Sequence, residues 1–150
     1  MRNYAAILMM LLAVAFSACR SDIVYSRFVP MKSGSWHMDS VVSFDYPVTD
    51  ASASYRVLLY VRHKENYPYQ NMWLFMDNAG LRDTIEFYLA DDRGRWLGDK
   101  NHGFIEMPVL YEDHLQFPDT GVYHMEIRHG MRDSLLRGVT DVGVEVIKNE

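Results

Sequence analysis

The sequence predicts an all-β protein, folded as a single antiparallel β-sandwich of jelly-roll type with about seven to eight strands after a cleaved signal peptide. Three observations predict this class. Apolar and polar residues alternate with a period of two, short clusters of turn-forming residues separate the alternating segments, and no long stretch has the period of an amphipathic helix. Aromatic residues make up 13% of the chain, which suits the wide inner faces of two packed sheets.

The clearest predicted strand covers residues 55–62. One of its faces carries only apolar or aromatic side chains, namely Tyr55, Val57, Leu59 and Val61. The other face mixes two arginines with partly apolar residues. Because successive side chains on a strand point to opposite faces, this pattern predicts a strand with one buried face.

Comparable segments precede and follow this strand. We predict strands at 41–46, 71–76, 84–90, 104–110, 122–128 and 142–148, with an eighth at 23–28. The separators are rich in Gly, Pro, Asn and Asp, which favour turns, and they lie at 47–52, 64–68, 78–80, 91–94, 118–121 and from residue 130 onward. A single helical turn fits residues 131–136.

Residues 1–18 are typical of a signal peptide. Arg2 places a positive charge near the N-terminus, and residues 4–18 contain no charged side chain. A helix of that length, at about 1.5 Å per residue, is shorter than a hydrocarbon core of roughly 30 Å. We therefore predict export and cleavage rather than a permanent membrane-spanning helix.

Cys19, the single cysteine, follows two small residues, Ser17 and Ala18, in the manner of a bacterial lipobox. Its thiol would receive diacylglycerol before cleavage, and residues 19–23 would form a lipidated tether. Phe16 departs from the leucine usual at its position. An exported chain with one cysteine forms no internal disulfide, which favours lipidation over an incidental cysteine in an ordinary secretory signal.

About 132 residues remain after cleavage, enough for one domain, which we place at 24–150. Loss of Arg2 leaves 14 basic against 20 acidic side chains, a net charge of about −6 with histidine neutral. Charges of both signs are interspersed, and no basic stripe is present. We therefore predict no nucleic-acid partner.

No catalytic constellation stands out among the titratable residues. The six histidines lack ligand spacing, and the sequence has no His-Glu-x-x-His helix, phosphate loop or nucleophile elbow. Asp91, Asp92 and Asp99 offer oxygen ligands suited to calcium, but Arg93 and Arg95 are interleaved and the spacing fits no EF-hand. We predict no enzymatic activity, no metal and no cofactor.

Two aromatic groups are the predicted contact residues for a ligand or partner. Tyr67, Tyr69 and Trp73 surround a proline turn, while Arg95 and Trp96 lie between two glycines. Rings on loops stack on sugars, peptides or partner proteins. The alternative, which the pattern favours, is that Trp73 and Trp96 fill the ends of the sandwich.

The same segments, in order and spacing, carry a family resemblance. They are Trp36 with Val41-Val42-Ser43-Phe44, the strand at 55–62, Asn66-Tyr67-Pro68-Tyr69-Gln70-Asn71, the segment 83–91, Gly94-Arg95-Trp96-Leu97-Gly98, Phe117 with Gly121-Val122-Tyr123, Met131-Arg132, and the segment 136–143. Over almost all of the mature chain they resemble the GldH family of gliding motility lipoproteins. Residues 99–102 depart from the glycine-richer turn expected there.

The resemblance implies a lipoprotein associated with motility machinery in the envelope of bacteria of the Bacteroidetes type, and it brings no catalytic residues. We predict an accessory or scaffold lipoprotein, anchored to a membrane through Cys19, that binds envelope proteins. A carbohydrate- or peptidoglycan-binding module is the alternative, and an enzyme of unrecognised type is the third hypothesis. Ser21 and Asp22 form only the start of an acidic surface-export signal, so we predict an outer-membrane anchor that faces the periplasm.

Overall fold

The computed structural model describes residues 22–149. Its regular structure consists of strands and one 3-10 helix, Lys32–Gly34. The strands are β1 (Ile23–Pro30), β2 (Ser35–His37), β3 (Val42–Val48), β4 (Ser54–His63), β5 (Asn71–Asn78), β6 (Leu81–Tyr88), β7 (Asp99–Asn101), β8 (Phe104–Gln116), β9 (Gly121–His129), β10 (Leu135–Arg137) and β11 (Val139–Lys148). Across the described part of the chain, no helix has the length and apolar character needed to cross a membrane.

The strands form two large sheets and one small sheet, with antiparallel pairing throughout. Sheet I has the order β1-β11-β4-β8-β7, sheet II has the order β3-β9-β5-β6, and β2 pairs with β10. Apart from the β5–β6 hairpin, consecutive long strands lie in different large sheets. This exchange of strands between two sheets is the pattern of a jelly roll.

The predicted all-β, antiparallel class is confirmed. The prediction of a single sandwich with seven to eight strands was wrong, because residues 22–149 form eleven strands in three sheets. Each predicted segment overlaps one of the eight longer strands, but β2, β7 and β10 have only three residues each, too few to show an alternation. The helical turn expected at 131–136 was also wrong, since Leu135 and Leu136 belong to β10.

Alternate residues of strands from both large sheets form the core. The inward residues of β3 and β4 are at most 4% exposed, and they are Val42, Phe44, Tyr46, Val48, Tyr55, Val57, Leu59 and Val61. Full burial of a large apolar side chain contributes roughly 1.5–3 kcal/mol. Tyr46 also donates its hydroxyl proton to Asn78 Oδ1 at 2.6 Å, and burial raises the pKa of Tyr46 to about 12, so this buried phenol stays protonated and bonded.

The two ends of the sandwich can be told apart by the strand register. At the N-terminal end, the Lys148 backbone N–H donates to the Asp22 carbonyl oxygen at 2.8 Å. Pro30, His63 and Val139 lie at the opposite end, which we call the far end. The chain therefore enters at one end of the sandwich, and the β4–β5 and β9–β10 connections lie at the other.

Candidate functional site

A chain of aromatic rings lies at the far end. His63 is fully buried, and the half-buried Trp96 meets its imidazole at an angle of 64° with 4.6 Å between ring centroids. Tyr67 lies 5.5 Å from His63 and 6.0 Å from Tyr69, so the rings connect the interior with the surface. Tyr67 is only 4% exposed. Two of the predicted contact residues, Tyr67 and Trp96, thus belong to the packing of the far end.

Arg95, a third predicted contact residue, lies in a hairpin organised by Asp91. Asp91 Oδ1 accepts hydrogen bonds from the backbone N–H groups of Arg93 and Arg95, both at 2.9 Å, and Oδ2 accepts one from the Arg95 guanidinium at 2.8 Å. These bonds, led by the one from the Arg95 backbone, hold the pKa of Asp91 below its usual value. Residues 22–149 contain no group of three His, Cys, Asp or Glu side chains suited to a metal ion.

Two large rings lie exposed side by side on the outer face of sheet II. Trp73 is 39% exposed and Phe75 is 47% exposed. Both point away from the core because the intervening and flanking β5 residues, Met72, Leu74 and Met76, are buried. The strand that supplies the core of sheet II therefore also supplies its exposed rings.

A groove of about 410 Å³ lies beside Trp73 at the far end. Its floor is the β9–β10 connection, where Gly130 N–H donates to the Trp73 carbonyl oxygen at 2.7 Å and Met131 Sδ accepts from Trp73 N–H at 3.3 Å. A Cβ on Gly130 would lie 3.0 Å from the Phe75 ring and 3.3 Å from Trp73 Cβ, so glycine allows the Phe75 ring and the base of the Trp73 side chain to lie against this segment. The groove is lined by Tyr69, Asn71, Trp73, Gly130, Met131 and Arg132, and the Phe75 ring lies beside it against Gly130. We call the groove together with this ring the aromatic groove.

Polar neighbours constrain two of the groove's side chains. Asn71 Nδ2 donates to Glu86 Oε1 at 2.6 Å. The carboxylate of Asp133 near the Tyr69 hydroxyl raises the pKa of Tyr69. The groove is therefore built from positioned side chains, with Trp73 as its largest exposed ring.

Of the five predicted contact residues, Tyr69 and Trp73 share the aromatic groove. Phe75, Met131 and Arg132 were not predicted as site residues, although Phe75 follows Trp73 by two positions in a strand-like segment and so had to share its face. Cys19 lies outside the described residues, and its lipidation stays a prediction.

Two buried histidines should make the fold sensitive to acid. Burial lowers the pKa of His63 and of His129 below the ordinary value of about 6.5. At a pH between these lowered values and about 6.5, the unfolded chain binds more protons than the folded chain. The free energy of unfolding should therefore fall as the pH drops below about 6.5. His129→Phe, which keeps a ring against Trp36, should flatten this dependence in urea unfolding measured between about pH 7.5 and 5.

His124 provides the control, because its pKa moves the other way. Hydrogen bonds to Asp45 and Glu126 raise the pKa of His124, so its contribution to stability is present at low pH and is lost as the pH rises through that raised value. His124→Asn should therefore leave the acid loss in place. An acid dependence in His129→Phe equal to that of the unaltered protein would show that His129 is not responsible.

Comparison with known proteins extends over the same residues that form the sandwich. The family described as GldH lipoprotein matches residues 23–146. The chain is 28% identical over 149 aligned residues to a gliding motility lipoprotein GldH homolog of Christiangramia forsetii, with 91% of each chain covered. It is 29% identical over 151 aligned residues to the gliding motility lipoprotein GldH of Flavobacterium johnsoniae, with 93% of each chain covered. Because the family match spans far more than half of the chain, the protein belongs to the GldH lipoprotein family.

Proposed function

We propose that the protein is a membrane-anchored lipoprotein of the cell envelope and an accessory or scaffold component of an assembly of the gliding-motility type. Its membership of a lipoprotein family supports the anchor, and both relatives are gliding motility lipoproteins by name. The lipid attaches to Cys19, and the domain faces the periplasm from the outer membrane. The protein acts through contact with other envelope proteins rather than through catalysis.

The aromatic groove is the observation that carries this proposal. Trp73 and Phe75 are large apolar side chains that lie exposed next to each other, whereas isolated exposed apolar residues are ordinary. Tryptophan is among the residues most enriched where binding energy concentrates in protein interfaces. Met131 adds a flexible thioether to the same groove, and methionine is common on surfaces that bind other proteins.

Trp73→Ala is expected to abolish most partner binding. Truncating a central tryptophan in an interface costs about 2 kcal/mol or more, which corresponds to roughly a 30-fold loss of affinity. The measurement is chemical crosslinking in cells, followed by purification of the tagged protein and quantification of the envelope proteins recovered with it.

Leu110→Ala is the matched control, because Leu110 is 56% exposed but lies on β8 in sheet I. This variant should recover the same partners as the unaltered protein. If Trp73→Ala and Leu110→Ala recover equal amounts of partner, the groove is not the binding site.

A glycan is the competing occupant, because exposed rings also stack on sugars. Titration of the purified protein with peptidoglycan fragments and surface glycans, followed by tryptophan fluorescence, separates the two hypotheses. We expect no saturable change in fluorescence. A saturable change that is absent in Trp73→Ala, together with no crosslinked protein, would establish glycan binding instead.

A further inference from the structure

Most of the carboxylates on the outer face of sheet II are already bonded within the protein, which reduces their capacity to attract a cationic ligand. Glu86 is bonded to Asn71 at 2.6 Å, Asp77 lies 3.5 Å from Arg82, and Glu126 lies 3.3 Å from His124. Asp83 accepts the Thr84 backbone N–H at 2.7 Å.

Two arginines on the same surface have no such partner. Among residues 22–149, no carboxylate oxygen lies within 4.0 Å of a guanidinium nitrogen of Arg128 or Arg132. Arg128 lies directly across from Phe75 in the β5–β9 register, and Arg132 lines the groove with Trp73. The two exposed rings are therefore flanked by two exposed guanidinium groups that are available to an anion.

One backbone donor at the edge of sheet II next to this surface is already occupied. β6 is the edge strand, and Asp83 Oδ1 accepts a hydrogen bond from the Thr84 backbone N–H at 2.7 Å. A charged side chain that occupies a backbone N–H group in this way makes the edge strand less able to pair with another strand. An occupant of this region is consequently expected to lie on the face of the sheet, over the rings.

We propose that the surface formed by Arg128, Phe75, Trp73 and Arg132 binds an acidic peptide segment of a partner protein, with an aromatic or aliphatic side chain held in the aromatic groove. This inference rests on the proposed function and deepens it by naming the chemistry of the partner. The rings contact the apolar anchor, and the guanidinium groups pair with carboxylates on either side of it.

The polar groups that remain free favour a carboxylate over a sugar. Sugar hydroxyls need acceptors as well as donors, and the hydrogen bond from Asn71 Nδ2 already occupies one oxygen of the Glu86 carboxylate. The free charged groups beside the rings, Arg128 and Arg132, are donors only. An acidic peptide matches this arrangement directly.

The position of the surface suits a partner that is not confined to the membrane. Four chain steps separate Cys19 from Ile23, a reach of at most about 14 Å. β1 then runs for eight residues, roughly 25 Å, toward the far end. With the lipid on Cys19, the aromatic groove would be held away from the bilayer surface.

The test starts by identifying what touches the surface in cells. Tyr88 is 59% exposed and lies across from Asn71 on β6, so benzoylphenylalanine at position 88 replaces one ring by another beside the groove. Photocrosslinking and mass spectrometry then give the crosslinked segment. That segment is synthesised in its natural form and in a form with every Asp and Glu changed to Asn and Gln.

Both peptides are titrated into the purified mature protein in detergent, and fluorescence anisotropy reports binding. We expect the amide form to bind about tenfold more weakly, and the Arg128→Gln, Arg132→Gln double variant to weaken the acidic form by a similar factor. The double variant should not affect the amide form. Arg93→Gln is the control, because Arg93 is exposed but lies on the hairpin that follows β6.

The outcomes separate this inference from the proposed function. A crosslinked protein segment that binds equally well in its acidic and amide forms would overturn the acidic-peptide inference while leaving protein binding intact. A crosslinked glycan, or no crosslinked protein at all, would overturn both. Equal binding of the acidic peptide by the double variant and by the unaltered protein would remove the arginines from the site.

Discussion

Replacing Gly138 by alanine is expected to lower the free energy of unfolding by about 3 kcal/mol, a large share of the stability of an ordinary domain. Gly138 joins β10 to β11 with φ at +86°, a conformation that costs roughly 1–2 kcal/mol once a Cβ is present. That Cβ would also lie 2.9 Å from both N and Cα of Tyr67. Relief requires movement of the backbone, and overpacking of this kind typically costs about 1–3 kcal/mol.

Gly80→Ala separates the two causes. Gly80 has the same φ of +86°, but a Cβ there would meet nothing within 4 Å. This variant should therefore lose only the strain, about 1–2 kcal/mol. Urea unfolding of both variants, followed by circular dichroism, measures the difference. If both variants lost the same free energy of unfolding, the close approach of Tyr67 to Gly138 would make no contribution to the loss.

The packing of Gly138 also matters for the aromatic groove. Tyr67 N–H donates to the Lys64 carbonyl oxygen at 3.1 Å, and Lys64 N–H donates to the Gly138 carbonyl oxygen at 2.8 Å. Tyr67 in turn lies 6.0 Å from Tyr69, which lines the groove. A shift of the β4–β5 connection would consequently reach the site, which links the stability of the far end to binding.

The longer strands could be predicted because their alternation is complete within each segment. β4 shows this best, since Tyr55, Val57 and Leu59 are all fully buried as the sequence pattern requires. β2 and β10 could not be predicted in the same way. Trp36 and Leu136 are buried within three-residue strands that pair only with each other, and that pairing depends on contacts between segments about 100 residues apart in the chain.

Only part of the proposed binding surface could be predicted from the sequence, for a related reason. Trp73 stood out as a large ring near a proline turn, and strand parity puts Phe75 on the same face. Arg128 joins them because of the β5–β9 register, and Met131 because of the β9–β10 connection. Neither relation is encoded locally. The same long-range packing places Trp96 against His63, at an end of the sandwich as the favoured alternative had it, whereas Trp73 lies exposed.

Cys19→Ser is expected to lose the lipid, so that the protein is either released into the soluble fraction or left as a misprocessed precursor that keeps residues 1–18 and lacks the mass of the lipid. Acyl chains hold a protein on a membrane by about 0.8 kcal/mol for each buried methylene, and stable anchoring needs more than one chain. A serine hydroxyl at position 19 would not receive the diacylglycerol group, so the whole of that contribution would be lost. Fractionation and the intact mass of the protein measure the change.

Ser21→Ala is the control for this substitution, because it alters a nearby residue and leaves the thiol in place. This variant should remain in the membrane fraction, and its intact mass should equal that of the lipidated protein less one oxygen atom. Recovery of Cys19→Ser in the membrane fraction at the mass of a lipidated chain would refute the assignment of the anchor.

The released variant also tests whether anchoring and binding are separate. Cys19 precedes β1, whose first residue is Ile23, while the aromatic groove lies at the far end of the sandwich. Cys19→Ser should therefore unfold at the same urea concentration as the lipidated protein and bind the crosslinked peptide with unchanged affinity. If binding were lost while the fold was retained, the lipid end would take part in recognition. Unchanged binding means that the anchor sets only where the groove is presented.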